Sequence, residues 1–223
     1  MLQTVEEIKN NIIRACAVSG AHPREVTIVA ASKAVPPNRL SGLQESGIFI
    51  CGENRVQELL QKHGRVDTTW HFIGNLQTNK VKYIVDKVDL IQSLDRIPLA
   101  AELEKRCVVI GRTMECLVEI NIASEPTKSG ISPDGAESFL RELQKFPHVK
   151  AVGLMTVAPV QQDFSLNRRY YLQMKHIYDK LKENPEFSDL RILSMGMSDD
   201  YALAVECGSN MVRLGRALFG ERV

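Results

Sequence analysis

A single lysine ends the run Val26 to Lys33, VTIVAASK, just ahead of Ala34-Val35-Pro36-Pro37. Val29, Ala31 and Lys33 fall on one face at the two-residue period of a strand, so small apolar side chains deliver one amine to the end of a sheet. Desolvation favours neutral lysine, and a neutral amine is a nucleophile toward an aldehyde or ketone. The bland alternative is a strand-end lysine that reaches past the double proline to water. A second group of residues lies near the other terminus, where Ser194-Met195-Gly196-Met197-Ser198 leads into Asp199-Asp200-Tyr201 and Val212-Arg213-Leu214-Gly215-Arg216 follows. A serine at a helix start offers a hydroxyl beside free N–H groups, and a glycine admits an anion to the main chain, as a phosphate monoester requires. Taken singly, Ser198 is equally an N-cap and Gly215 equally a turn glycine. Asp199 and Asp200 would repel a phosphate unless they face away.

The elements that must bring these residues together alternate along the chain. Val5, Ile8, Ile12 and Ile13 recur at helical spacing, which predicts a leading helix over 3–18 that ends near Gly20. Strands are expected at 26–33, 47–53, 69–74, 89–94, 114–122, 149–159, 191–197 and 211–220. Helices are expected after Pro37, from Asn54, over Lys80 to Val88, from Arg96 to Val109, and over Ala136 to Lys145, Leu166 to Lys182 and Asp200 to Cys207. Eight such alternations imply a single (β/α)8 TIM-type barrel over 1–223, with the extra N-terminal helix filling the eighth outer position. An open doubly wound sheet is the alternative.

Closure would set strand eight about 4.8 Å from strand one. Lys33 would then lie beside the Ser198 and Gly215 junctions, at the end of a barrel where such sites gather. A ligand with a phosphate at one corner and a carbonyl a few ångströms away fits that arrangement, and pyridoxal 5'-phosphate has this shape. Arg213, on the face of Gly215, would lie near its ring nitrogen. A guanidinium only donates hydrogen bonds, so it would hold that nitrogen as an unprotonated acceptor and weaken the ring as an electron sink.

Composition narrows the partners. The chain has 28 basic and 27 acidic residues, interspersed, for a formal charge of +1, so it carries no field that would recruit nucleic acid or an anionic membrane. Cys16, Cys51, Cys107, Cys116 and Cys207 are odd in number and lack metal-ligand spacing, which reads as reduced thiols in a cytoplasmic protein. No apolar run approaches a membrane span, and the amphipathic start is unlike a signal peptide.

The chain closely resembles the YggS/PROSC family of pyridoxal phosphate homeostasis proteins, single-barrel relatives of the alanine racemase N-terminal domain. The resemblance rests on ASK at 31–33, GENRVQEL at 52–59, WHFIGNLQTNK at 70–80, NIASEPTKSGI at 121–131, GLMTVAP at 153–159, LSMGMSDDY at 193–201 and VRLGRALFG at 212–220. It implies that Lys33 carries the cofactor as an internal aldimine, that Ser198, Gly215 and Arg216 hold its phosphate, and that Arg213 faces the pyridine nitrogen. Asn54 and Met155 are implied pocket-lining positions. Many members carry a second lysine two residues after the first, where this chain has Val35. His71 either stacks near the ring or is a satisfied core histidine. Lys128 is either an exposed loop residue or an acceptor of cofactor leaving Lys33.

Three functions are consistent with these residues. The first is a monomeric cofactor-binding module that buffers pyridoxal phosphate and passes it transiently to apoenzymes. The second is an amino-acid racemase or decarboxylase, which needs proton donors and acceptors on both faces of the substrate carbon. The third is an aldolase in which Lys33 attacks a sugar phosphate.

Overall fold

In the computed structural model, which describes residues 4–159 and 164–220, eight parallel strands close into a barrel in chain order. They are β1 (Thr27–Ala31), β2 (Ile50–Glu53), β3 (Thr69–Phe72), β4 (Leu90–Leu94), β5 (Met114–Glu119), β6 (Val149–Met155), β7 (Ile192–Ser194) and β8 (Met211–Leu214). Closure is made by β8 against β1, where Thr27 pairs with Met211, Val29 with Arg213 and Ala30 with Leu214. A closed sheet leaves no strand edge to protect.

Parallel neighbours require crossovers. Among the described residues five of these carry α-helices: α2 (Val56–Lys62), α3 (Ile97–Ile110), α4 (Ala136–Leu143), α5 (Phe164–Lys182) and α6 (Tyr201–Glu206). The helices expected after Pro37 and over Lys80 to Val88 are instead 3-10 segments at Pro37–Arg39 and Thr78–Tyr83. In the first, Gly42 and Gly47 interrupt propagation, the latter at φ 75°. In the second, the β-branched Val81, Ile84, Val85 and Val88 are all buried, so packing sets a path that helix propensity does not favour. The expected strand through residue 220 also stops early. Gly215 precedes a short helix, α7 (Arg216–Phe219), and its carbonyl accepts from Leu218 and Phe219 N–H at 3.0 and 2.9 Å.

The leading helix, α1 (Val5–Ser19), opens on a capping box in which Thr4 Oγ1 accepts from Glu7 N–H at 3.1 Å and Glu7 Oε2 accepts from Thr4 N–H at 2.7 Å. Its buried face, Ile8, Ile12, Ala15 and Cys16, packs on Tyr201 and Val205 of α6 and on Val212 and Leu214 of β8. Helix α1 therefore covers the outer face of β8. Outside the barrel, leucine, isoleucine and aromatic side chains fill the space between sheet and helices. Inside it, Val29, Leu90, Leu117, Val152, Met155 and Met211 form an apolar fill.

Close strand contact makes one glycine obligatory. A Cβ built on Gly153 would lie 2.0 Å from the Ile192 carbonyl oxygen, a backbone atom of the paired strand. Gly153→Ala should lower stability by about 1–3 kcal/mol, the usual cost of overpacking, as read by urea denaturation. A buried ion pair fixes the end of β1: Lys62 Nζ meets Glu53 Oε1 at 2.5 Å and the Ser32 carbonyl at 2.7 Å, while Ser32 Oγ donates to the same carboxylate at 2.7 Å. Removing one partner strands the other charge, so Lys62→Met should cost about 3–5 kcal/mol in the same measurement.

Candidate functional site

The end of β1 is a turn, not an extension of the strand. Ser32 N–H still pairs with the Gly52 carbonyl at 3.0 Å, but Val35 N–H then bonds back to the Ser32 carbonyl at 2.9 Å. Lys33 and Ala34 are the two central residues, and Ala34 has φ 61°, the left-handed conformation a type II turn needs at its third position. Glu58 Oε2 accepts from Ala34 N–H at 2.7 Å and holds that conformation. Lys33 is thus displaced from the strand face expected for it and half-buried at the barrel's C-terminal mouth. Its amine makes no hydrogen bond or ion pair among the described residues.

Beside it lies the junction of the last two strands. A Cβ on Gly215 would lie 3.4 Å from the Ala31 carbonyl oxygen and 3.6 Å from Ala31 Cβ, which puts the glycine two residues before Lys33 on the neighbouring strand. Ser198 does not cap its own helix; Asp200 precedes α6. The Ser198 hydroxyl instead accepts from Gly215 N–H and Ala217 N–H, both at 3.1 Å, at the start of α7. Lys33, Ser198 and Gly215, far apart in sequence, therefore converge.

Of the two acidic residues that weighed against an anion here, Asp200 is turned away, whereas Asp199 engages Arg216, a residue expected to hold the phosphate. Asp199 pairs with the Arg216 guanidinium, and both are exposed. Asp200 is buried, with Oδ2 accepting from Tyr171 OH at 2.6 Å and Asn167 Nδ2 at 2.9 Å, and Oδ1 accepting from Met197 N–H at 2.8 Å. It ties the loop carrying Ser198 to α5, and its negative charge raises the Tyr171 phenol pKa after burial has done so.

Arg213 is 5% exposed and points into the barrel. Its Nη1 donates to Ser194 Oγ at 2.5 Å and its Nη2 to the Thr156 carbonyl at 2.7 Å. Burial lowers the guanidinium's pKa, opposed by Tyr171, Glu119 and Asp200. Met155, the last residue of β6, is 1% exposed and belongs to the interior fill. Asn54 follows β2 at the same end of the barrel, and its Oδ1 is buried without a hydrogen-bond partner.

His71 is a buried histidine bonded at one ring nitrogen. It is 5% exposed, its Nδ1 lies 3.0 Å from Gln92 Nε2, and burial holds its pKa down at about 4. Lys128 is half-buried, not exposed as expected, and pairs with Glu125 at 2.8 Å.

Glu119, Gln92, Ser194 and Thr156 were not singled out from the sequence. Glu119 ends β5, two residues beyond interior Leu117 and opposite Met155, so it faces the mouth across the barrel from β1. Burial and then Asp95 raise its carboxyl pKa to about 7, against the pull of Arg213 and Arg96. The available signal was strand alternation in MECLVEI, which puts a carboxylate on the same face as leucine.

Comparison with known proteins bears on this site. The alanine racemase N-terminal domain model matches residues 5–223. A pyridoxal phosphate homeostasis protein of Aquifex aeolicus is 39% identical over 223 residues, spanning 99% of this chain and 97% of that one. Its Escherichia coli K12 counterpart is 31% identical over 222 residues, spanning 97% and 94%. The structure of PipY from Synechococcus elongatus with pyridoxal phosphate bound has a TM-score of 0.81 at 30% identity, covering 94% of this chain and 100% of that chain. An alanine racemase of Clostridium difficile shares the fold at 16% identity and a TM-score of 0.76, with this chain covering 56% of its length. With a family match over nearly the whole chain and these relatives in agreement, this chain belongs to the alanine racemase N-terminal domain family, among the pyridoxal phosphate homeostasis proteins.

Proposed function

We propose that this protein binds pyridoxal 5'-phosphate reversibly through Lys33 and thereby serves the cell's supply of that cofactor. The observation that carries this reading is the half-buried, unpaired Lys33 amine beside the Ser198–Gly215 junction. The donor set fits the cofactor: one free amine for an aldehyde, the Ser198 hydroxyl proton for a phosphate, joined by Gly215 N–H, Ala217 N–H and Arg216 once the phosphate displaces their present partners Ser198 Oγ and Asp199, and a guanidinium for a ring nitrogen. The buried, unpartnered Asn54 Oδ1 adds an acceptor at the same mouth. The bound cofactor supplies an electrophilic aldehyde, with which the Lys33 amine would condense, a C=N bond replacing C=O and one water leaving.

The remaining residues favour holding over turnover. Arg213 donates only, so a ring nitrogen facing it stays an unprotonated acceptor and draws little electron density from the aldehyde carbon. We read the protein as a cytoplasmic monomer that releases the cofactor transiently to apoenzymes. All five thiols are buried and unpaired, and burial raises the pKa of each, in keeping with a reducing compartment. No helix among the described residues is long and apolar enough to cross a membrane.

One observation favours a second reading, an amino-acid racemase. Glu119 is a carboxyl that exchanges its proton near neutral pH and faces the mouth from the side opposite Lys33, as a second acid–base group must.

Borohydride treatment of the loaded protein should fix a phosphopyridoxyl mass on Lys33, and Lys33→Ala should abolish it while retaining weak phosphate-dependent binding. The same mass on another lysine of the Lys33→Ala variant would refute the assignment. Solvent deuterium should not enter the α-carbon of added amino acids; incorporation that Glu119→Gln abolishes would establish the racemase instead. Glu119 also has a signature in stability. Its folded-state pKa lies above the ordinary 4.5, so the folded protein binds the extra proton and stability falls as pH rises from about 4.5 through about 7. Glu119→Gln should flatten that fall in urea titrations across this range.

A further inference from the structure

Four polar side chains cross the barrel interior: Arg213 of β8, Ser194 of β7, Gln92 of β4 and His71 of β3. Ser194 and Gln92 are fully buried, and the other two nearly so. They form one chain. Arg213 Nη1 donates to Ser194 Oγ at 2.5 Å, Ser194 Oγ donates to Gln92 Oε1 at 2.8 Å, and Gln92 Nε2 lies 3.0 Å from His71 Nδ1.

Its direction is dictated by chemistry. A guanidinium has no acceptor, so Ser194 must accept from Arg213 and send its own proton onward to the Gln92 carbonyl. The Gln92 amide nitrogen then faces His71 Nδ1 and, at 3.3 Å, Met211 Sδ, both of which accept. His71 is thereby neutral, with its proton on Nε2. The other guanidinium nitrogen is anchored by the Thr156 carbonyl, whose own side chain donates to the Ile120 carbonyl at 2.8 Å.

We propose that Ser194, Gln92 and His71 are positioning residues for Arg213: their one-way hydrogen-bond chain fixes the guanidinium so that its unused N–H groups meet the cofactor's ring nitrogen as donors. This rests on the reading of Arg213 given above. It adds that the electronic state of the ring is set by side chains that never touch the cofactor. A chain that merely satisfied buried polar atoms would stabilise the fold and leave the ring nitrogen unaffected.

Gln92→Glu preserves size and separates these roles. A carboxylate at 92 still accepts from Ser194 but cannot donate to His71, so the imidazole must acquire an Nδ1–H. Long-range 15N–1H correlation spectra of the cofactor-free protein should show neutral His71 protonated at Nε2, and a shift to Nδ1–H or the doubly protonated ring in Gln92→Glu. With 15N-labelled pyridoxal phosphate bound, the ring nitrogen should resonate as an unprotonated acceptor in the unaltered protein. It should move toward the protonated position in Ser194→Ala and Gln92→Glu. An Nδ1–H on His71 in the unaltered protein overturns the proposal whether or not either variant folds, and so does an unmoved ring-nitrogen resonance in a loaded variant. If the unaltered protein takes up no labelled cofactor, the functional reading itself falls and takes this proposal with it.

Discussion

A guanidinium buried in the barrel at 5% exposure is the constraint on which the rest of the interior depends. Removing a charge from water costs several kcal/mol even after relaxation, and that cost is met only when the group is hydrogen-bonded or paired. Among the described residues Arg213 forms no ion pair with a carboxylate. It is compensated by a serine hydroxyl, a main-chain carbonyl and the more distant fields of Glu119, Asp200 and Tyr171. That solution demands polar residues where a barrel of this size normally packs aliphatic ones, hence Gln92, Ser194 and Thr156. It also leaves the positive charge free of a neutralising partner, so it remains available to whatever enters the mouth.

The register of the closing strands decides what that charge can reach. Val29 pairs with Arg213 and Ala30 with Leu214, so Gly215 lies alongside Ala31 and the turn carrying Lys33 begins one residue later. A slip of one residue would turn Arg213 out of the barrel and an aliphatic side chain in. The turn itself is strained, since a left-handed alanine costs about 1 kcal/mol. It persists because Ser32, Ala34 and Val35 are each held, by the Glu53–Lys62 pair, by Glu58 and by the turn hydrogen bond. Strain confined by buried partners is a common property of functional turns.

Much of this was legible in the sequence because it depended on period and order. Alternation of strand and helix predicted eight strands and a closed barrel, and closure alone brings residues near 33 together with residues near 198 and 215. What failed was local. Proline pairs and β-branched runs read as helices after β1 and β3, although glycine interruption and side-chain burial made them 3-10 segments. Gly215 read as strand because VRLG alternates, and only the carbonyl it offers to Leu218 and Phe219 makes it a helix entry. Ser198 read as the cap of its own helix, whereas its hydroxyl serves the next one, a contact that no local pattern encodes. Gln92 and Ser194 were missed for a different reason. In IQSL and ILSM they look like the polar face of a half-exposed strand, and nothing in sequence says that in a closed barrel this face turns inward.

For the function proposed above, the arrangement suits holding the cofactor better than driving chemistry on it. Under the proposed function, the ring nitrogen meets a group that can only donate, so negative charge developing at a substrate carbon would find a poor sink in the ring. Glu119 does not repair this. A carboxyl raised to about 7 can take or give a proton, but proton transfer lowers a barrel-mouth reaction barrier only if the carbanion it creates is stabilised as well. Exchanging the arginine for a carboxylate would supply that stabilisation, yet it would place an acid among Ser194, the Thr156 carbonyl and Gln92 Oε1, three oxygens now oriented to accept or relay from a donor. The interior is thus committed to a cation at 213 by its own hydrogen-bond direction, and the proposed preference for holding the cofactor rests on the same atoms that make the buried charge tolerable.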